Sequence, residues 1–198
     1  KGDQHHSSDH PGADAYKGKK AVVIGSNNSA HDICAALWEA GADVTMVQRS
    51  STHIAKSDTL MDLALGGLYS EAAVKSGIDT DKADLIFASL PYKALPALQV
   101  PVYQQMKERD ADLYARLEKA GFLLDFGEDG SGLFVKYLRR GSGYYIDVGA
   151  SELVADGRVK LKTGAIEHVE ADGLVMADGT KLPADLIVIG QCPQLDAI

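Results

Sequence analysis

The chain has little cysteine: Cys34 and Cys192 are its two cysteines in 198 residues. They are far apart and form no Cys-x-x-Cys, which argues against a disulfide scaffold, a thiol redox pair or a zinc site. Runs of lysine and arginine are also lacking, and the formal net charge is -8. Because nucleic acids and anionic membranes are bound by clustered positive charge, neither is an expected partner.

Long apolar runs are lacking as well. No window reaches the roughly 18 consecutive apolar residues that a membrane span needs. The first residues are polar and rich in histidine, unlike a signal peptide or an anchor. We therefore expect a cytoplasmic protein.

What the chain does have is a hydrophobic content of 45%, enough for a core. Residues 1–19 lack periodicity and are expected to be an extended lead-in, with regular structure beginning at Lys20. AVVIG (21–25) is typical of a buried parallel strand, a helix follows it up to Gly41, and DVTMVQR (43–49) is a second strand. Together they predict a right-handed βαβ unit, and such sheets bind ligands at the carboxyl ends of their strands.

The rest of the chain predicts additions to that unit. A helical insertion is expected at about 56–121, with helix starts at Ser57, Ser70 and Thr80, followed by one longer helix that ends before Gly121. After Gly143 we expect strands: YYIDV, then a turn in SELVAD, then a meander that includes VKLK, IEHVE and LVMADG. ADLIVIG (184–190) returns to the parallel sheet. The predicted fold class is α/β, a Rossmann-like parallel sheet flanked by helices, with a helical insertion and a small antiparallel β-meander.

The stretch VVIGSNNSAHDI (22–33) resembles the glycine fingerprint of a dinucleotide-binding turn, with Asn27 in place of the middle glycine. A helix N-terminus after such a turn offers free N–H groups and partial positive charge to a diphosphate. Asn27 can adopt the left-handed conformation and donate a hydrogen bond, and Ala30 still allows close packing of helix on strand. A capped helix after a core strand, without any ligand, is the alternative. The residues predicted to bind the cofactor here are Gly25, Ser26, Asn27, Asn28 and Ser29.

The end of the second strand favours NADPH over NADH. A cofactor with a free ribose 2′-hydroxyl is usually met by an acidic residue at this point, but the sequence here is QRSST (48–52). A guanidinium with neighbouring hydroxyls suits a 2′-phosphate. The residues predicted to bind it are Arg49, Ser50 and Thr52, with a solvated surface arginine as the alternative.

These motifs, together with the lead-in KGDQHHSSDHP, resemble the class B flavoprotein monooxygenases, the flavin-containing and Baeyer–Villiger types. The family fingerprint is FxGxxxHxxx followed by an aromatic residue. Gly2 and His6 have its spacing, whereas His10 stands in the aromatic position. AGFLLDFGEDGSG and GYYIDVGASELVADG, farther along, resemble the same family, so the resemblance covers nearly the whole chain.

The resemblance implies an enzyme that uses FAD, NADPH and dioxygen to oxygenate a small molecule at nitrogen, sulfur or a ketone. It also implies that residues 1–19 link to an FAD domain of the same polypeptide and that residues 20–198 are the NADP-binding domain, inactive alone. His6 takes the family's domain-coupling role as the catalytic candidate. Where the family has Ala-Thr-Gly-aromatic near the flavin, this chain has Gly190, Gln191 and Cys192.

Other readings of the sequence are open. A non-enzymatic NAD(P)-sensing module would use the same turn, and the NADPH domain of a pyridine-nucleotide disulfide reductase would share the meander and closing strand. HHSSDH is not expected to bind a metal, and Asp125-Phe126-Gly127 is expected to be a loop without the other kinase motifs. His31 is expected to be partly exposed. An apolar face that the FAD domain would cover predicts weak self-association.

Overall fold

The computed structural model describes residues 2–190. The strands are β1 (Asp3–His6), β2 (Lys20–Ile24), β3 (Asp43–Gln48), β4 (His53–Lys56), β5 (Tyr144–Asp147), β6 (Lys160–Thr163), β7 (Ile166–Glu170), β8 (Gly173–Met176), β9 (Lys181–Pro183) and β10 (Leu186–Ile189). The helices are α1 (Asn28–Glu39), α2 (Ser57–Leu60), α3 (Glu71–Lys75), α4 (Thr80–Ala88), α5 (Leu95–Arg109), α6 (Ala111–Lys119), α7 (Gly132–Arg140) and α8 (Ala150–Ala155). Among these residues, no helix is long and apolar enough to cross a membrane.

A five-stranded parallel sheet in the order β1-β10-β2-β3-β6 forms the centre of the fold. β4 and β5 form a separate parallel pair, and β7, β8 and β9 form an antiparallel sheet. The predicted fold class, an α/β parallel sheet with helices and a small meander, is confirmed.

The predicted βαβ unit is present as β2, α1 and β3. Val23 on β2 is fully buried, and Ala30, Cys34 and Leu37 place one face of α1 in the same core. The helix ends at Glu39 with Ala40 as its C-cap, and Gly41 follows with a φ of +90°. The apolar run, the helical spacing and the terminal glycine therefore predicted this unit correctly.

The lead-in differs from the prediction. Residues 3–6 form β1, which pairs with β10 at the edge of the central sheet, so regular structure does not begin at Lys20. These four residues are polar and only partly buried, and their strand conformation comes from pairing with β10. Gly2 precedes the strand with a φ of +144°, and a Cβ there would lie 2.7 Å from the carbonyl oxygen of Asp185. Gly2 thus has a backbone reason to be glycine.

The helical insertion is confirmed, with two differences. Helices begin at Ser57 and Thr80 as predicted, and Ser70 caps α3 by accepting a hydrogen bond from the Ala73 N–H. The predicted long helix is two helices, α5 and α6, separated by Asp110 at φ -102° and ψ 18°. Thr59 donates to the Asp110 carboxylate over 3.1 Å, which fixes this break by a tertiary contact that helical periodicity does not reveal.

Helix α7 is a further element that the sequence did not predict, so helical structure continues past Gly121. It begins at Gly132, whose Cβ would overlap the ring of Tyr103 on α5. Tyr103, Met106 and Leu133 share a core cluster, so α7 packs directly on α5. The glycines around residues 127–132 concealed this helix from a reading based on turn signals.

The carboxyl-terminal part also needed two corrections. SELVAD is not a turn, because Ala150–Ala155 forms α8, and β6 does not belong to the meander but pairs in parallel with β3. The return of β10 to the parallel sheet is confirmed. Parallel pairing of β6 depends on a distant strand, which a local strand pattern does not identify.

Candidate functional site

The predicted site lies at the carboxyl edge of the central sheet. Ile24 on β2 pairs with Val47 on β3 and with Ile189 on β10, and Ile189 pairs with His6 on β1. These strands are parallel, so the residues that follow them emerge at the same edge. The structure therefore brings together the Gly25 turn, the Arg49 loop, His6 and Gly190.

The Gly25 turn is set by the backbone. Gly25 has a φ of +130°, a conformation that side-chain-bearing residues rarely adopt, and its N–H donates to the Val47 carbonyl over 2.9 Å. Asn27 is the N-cap of α1 in an extended conformation, with φ -96°. The expectation that Asn27 uses the left-handed region is therefore wrong: the chain enters the helix directly.

The first turn of α1 leaves backbone donors available. The first intrahelical bond runs from the His31 N–H to the Asn27 carbonyl over 3.1 Å. The N–H groups of residues 28–30 precede that bond and have no acceptor within the helix. The Asn27 side chain makes no capping hydrogen bond to them. These donors and the helix dipole make the turn suitable for an anion.

The side chains of the turn are mostly engaged inside the protein. The Ser26 hydroxyl is buried and lies 2.7 Å from the Thr52 hydroxyl. Asn28 accepts a hydrogen bond from the Ile146 N–H over 3.0 Å, and Ser29 is exposed. The groups of the turn that remain available to a ligand are therefore its backbone N–H groups and the exposed Ser29 side chain.

Thr52 connects the two parts of the site, the turn after β2 and the loop after β3. It is 1% exposed, and its hydroxyl contacts Ser26 and donates to the Asn27 side-chain oxygen over 3.4 Å. Thr52 thus makes contacts within the protein, and its predicted contact with the cofactor stays a prediction. The hydroxyl links the loop after β3 to the turn after β2.

Arg49 and Ser50 are both exposed directly after β3. The preceding Gln48 is fully buried, and its amide bonds the backbone of Leu123 twice: it donates to the carbonyl over 3.0 Å and accepts from the N–H over 2.8 Å. Among residues 2–190, the ion pairs of the structure do not include Arg49. The hydrogen bonds of Gln48 therefore fix the backbone just before Arg49, and Arg49 is exposed at the carboxyl edge of the central sheet.

His31 lies behind the turn and is fully buried, so the expectation of a partly exposed residue is wrong. Its ring stacks on Tyr145 with centroids 4.0 Å apart, and Nδ1 donates to the Asn27 carbonyl over 3.2 Å. Burial lowers its pKa to about 4, and hydrogen bonds to the backbone and the Asp147 charge oppose this shift only in part. A neutral His31 therefore supports the turn from inside and is not a phosphate contact.

His6 stands at the carboxyl end of β1. Its Nδ1 lies 2.8 Å from the Ser8 hydroxyl and accepts from the Ser8 N–H over 3.2 Å, which caps the short helical turn at 7–9. His10, in the aromatic position of the fingerprint, lies 2.8 Å from the His5 ring nitrogen and stacks on Tyr16. His6 is thus beside the predicted site, on the strand next to β10.

Gly190 follows β10 and approaches α1 closely. A Cβ there would lie 3.1 Å from the Cβ of Ala30 and 3.3 Å from the Ile24 carbonyl oxygen. Ala30 is itself fully buried, which confirms its predicted role in close helix packing. Gln191 and Cys192 lie outside the described residues, so the altered turn there is not described.

The sequence did not reveal the supports of the Arg49 loop. Ser51 donates to the Asp125 carboxylate over 2.8 Å, and the buried Lys136 on α7 donates to the same oxygen over 2.6 Å. The Thr52 backbone bonds Leu123 and Asp125 on the same segment. Asp125 is 74 residues from Ser51. Asp125 and Lys136 were visible as charged residues in the sequence, but no spacing rule joined them to QRSST.

Comparison with known proteins gives relatives consistent with this geometry. The family described as pyridine nucleotide-disulphide oxidoreductase matches residues 1–91. "Probable indole-3-pyruvate monooxygenase YUCCA10" of Arabidopsis thaliana is 25% identical over 184 residues, which cover 92% of this chain and 40% of that protein. The chain thus spans about two-fifths of that relative.

Solved structures share the fold at low identity. A cyclohexanone monooxygenase bound to epsilon-caprolactone matches with a TM-score of 0.60 and 15% identity, covering 96% of this chain and 43% of that one. An OTEMO complex with FAD and NADP matches with a TM-score of 0.59 and 16% identity, covering 96% and 43%. These solved structures show that the chain shares the fold of the cyclohexanone monooxygenase and of the OTEMO protein, in agreement with the resemblance seen in the fingerprint residues.

Proposed function

We propose that this chain is the NADPH-binding part of an FAD-dependent monooxygenase that uses NADPH and dioxygen to oxygenate nitrogen, sulfur or a ketone in a small molecule. The observation that carries the proposal is the position of the Gly25 turn and the exposed Arg49 at the carboxyl ends of two paired parallel strands. Relatives that are monooxygenases, one of them with FAD and NADP bound, support it.

The residues fit the cofactor in two places. The diphosphate would bind the N–H groups of residues 28–30, where Gly25 opens the turn and α1 directs its dipole outwards. The 2′-phosphate would bind Arg49 and Ser50. A charge-assisted hydrogen bond contributes about 1.5–3 kcal/mol, so NADPH should be preferred over NADH by about one to two orders of magnitude.

In the intact enzyme, FAD would supply the oxygen-activating chemistry. This chain would hold and orient the nicotinamide cofactor toward the flavin. His6, on the strand at the edge of the sheet, is proposed to couple the movement of the two domains, with residues 1–19 joining the FAD domain and residues 20–198 binding NADP. The chain alone would bind NADPH without turnover.

A disulfide reductase is the second candidate, because the matching family carries that description. Such an enzyme needs a reactive cysteine pair. Cys34, on α1, is buried in the core, and burial raises the pKa of its thiol. Low thiolate content and lack of access make Cys34 unsuited to thiol exchange. The redox pair of such a reductase would therefore lie elsewhere in the full-length protein. The monooxygenase name of the similar Arabidopsis protein favours the first proposal.

Titration of the chain with NADPH and NADH tests the proposal. NADPH should bind about 10- to 100-fold more tightly, and Arg49→Ala should erase that difference while leaving the NADH dissociation constant nearly unchanged. Arg158→Ala, which removes an exposed arginine that pairs with Asp156, is the matched control and should leave the preference intact. Equal affinity of the unmodified chain for both cofactors would contradict the proposal.

A further inference from the structure

The Arg49 loop is held from the side of the helical insertion by one carboxylate. The Asp125 oxygen Oδ2 accepts from the Ser51 hydroxyl over 2.8 Å, and Oδ1 accepts from the Gly127 N–H over 2.6 Å. Ser51 lies two residues after Arg49, in the segment that Gln48 and Thr52 already fix to Leu123. Asp125 therefore restrains the part of the loop that Gln48 does not reach.

A carboxylate so close to a phosphate-binding loop would repel the ligand unless its charge were balanced. Lys136 balances it: the ammonium donates to Asp125 over 2.6 Å and its side chain is 5% exposed. Gly143 leaves room for this lysine, because a Cβ there would lie 2.7 Å from its Cε. The lysine of this ion pair is thus buried, whereas the Asp125 side chain is 24% exposed.

The lowered pKa of Asp125 agrees with this geometry. Burial acts to raise its pKa, but hydrogen bonds from Lys136, the Gly127 N–H and Ser51 together lower the pKa to about 2. The group is therefore ionised at neutral pH and accepts strongly from Ser51. An anionic acceptor holds a hydroxyl more firmly than a neutral one.

Resting on the proposed function, we infer that Asp125 is a positioning residue for cofactor specificity: its carboxylate, neutralised by Lys136, fixes Ser51 and with it the loop that directs Arg49 at the 2′-phosphate. Asp125 does not touch the cofactor. The helical insertion, through α7, thereby contributes to the choice of NADPH over NADH.

The decisive variant is Ser51→Ala. It removes the hydrogen bond from the Ser51 hydroxyl to the Asp125 carboxylate and leaves the Asp125–Lys136 ion pair intact. We expect the NADPH dissociation constant to rise about 3- to 10-fold with the NADH constant unchanged, since part of one charge-assisted bond is lost. Ser51→Thr keeps the hydroxyl and should restore the preference. Ser76→Ala removes a similar hydroxyl bond, 2.7 Å to the Ala73 carbonyl, and should not alter either constant.

A second pair of variants tests the charge. Lys136→Met leaves the Asp125 carboxylate without a balancing charge and should raise the NADPH dissociation constant more than tenfold. The double variant D125N/K136M should have an NADPH dissociation constant within about 3-fold of that of the unmodified chain. If Lys136→Met does not fold, the Ser51 variants still decide the question. A Ser51→Ala chain that folds and keeps its full NADPH preference, or loses both cofactors equally, overturns the inference.

These outcomes separate the inference from the proposed function. A preference that Arg49→Ala erases but Ser51→Ala leaves intact overturns only the role of Asp125. Absence of any preference in the unmodified chain overturns both.

Discussion

The two halves of the candidate site are held in different ways. The turn after β2 is fixed by its backbone: Gly25 takes a φ of +130°, and its N–H is bonded to Val47. The loop after β3 is fixed by side chains, through Gln48, Ser51 and Thr52. Binding of the diphosphate should therefore depend on main-chain geometry, whereas selection of the 2′-phosphate should depend on a network of distant residues.

The strongest test of this difference replaces Gly25 with valine. Strain at a positive φ is of order 1–3 kcal/mol, and the amides of the turn would move with it. We expect the dissociation constants of NADPH and NADH to rise together, each by about 100-fold, whereas Arg49→Ala should affect NADPH alone. Isothermal titration with both cofactors measures this.

Gly157→Ala provides the matched control for Gly25→Val. Gly157 also has a positive φ, +73°, with open space around it after α8. Its replacement should cost stability without changing either affinity. A Gly25→Val chain that lost only NADPH would show that the turn is not the shared half of the site.

The dependence of stability on pH is a smaller test, because one buried histidine lies near each part of the site. His31 supports the turn, and His53 lies beyond the loop between Tyr103 and Phe126. Burial lowers the pKa of His31 to about 4, and burial together with the Lys136 charge lowers that of His53 to about 3. The unfolded chain therefore binds more protons than the folded chain below pH 6.5, so stability is lost as the pH falls from 6.5 toward these values.

At pH 5 each histidine should cost about 2 kcal/mol of unfolding free energy relative to pH 7. Urea unfolding at both pH values measures the loss. His53→Phe keeps an aromatic ring in the pocket and should remove about half of the pH dependence. A chain whose stability is the same at pH 5 and pH 7 would contradict the burial of both rings.

The contrast between local and distant contacts also explains which parts of the structure the sequence could predict. The turn was predictable because its determinants are local: an apolar run, Gly25, and helical spacing as far as Gly41. The break at Asp110 and helix α7 were not, since they depend on Thr59 and on the packing of Gly132 against Tyr103. Local pattern identifies the elements of a fold, but contacts between distant segments decide where several of them end.

Within the site, Arg49 is exposed, whereas Thr52 and His31 are buried. A threonine after a strand and a histidine on a first helical turn have the same sequence signature whether they face solvent or the core. The partners that distinguish these cases, Ser26 for Thr52 and Tyr145 for His31, are 26 and 114 residues away. Spacing rules do not join such pairs.

The most direct test of the central claim is a ³¹P NMR spectrum of NADP⁺ bound to the chain. We predict that the diphosphate and the 2′-phosphate resonances both shift on binding, that the bound 2′-phosphate has a lowered pKa, and that Arg49→Ala returns only the 2′-phosphate to its free position. A 2′-phosphate that titrates in the unmodified complex as it does in free NADP⁺ would contradict the account.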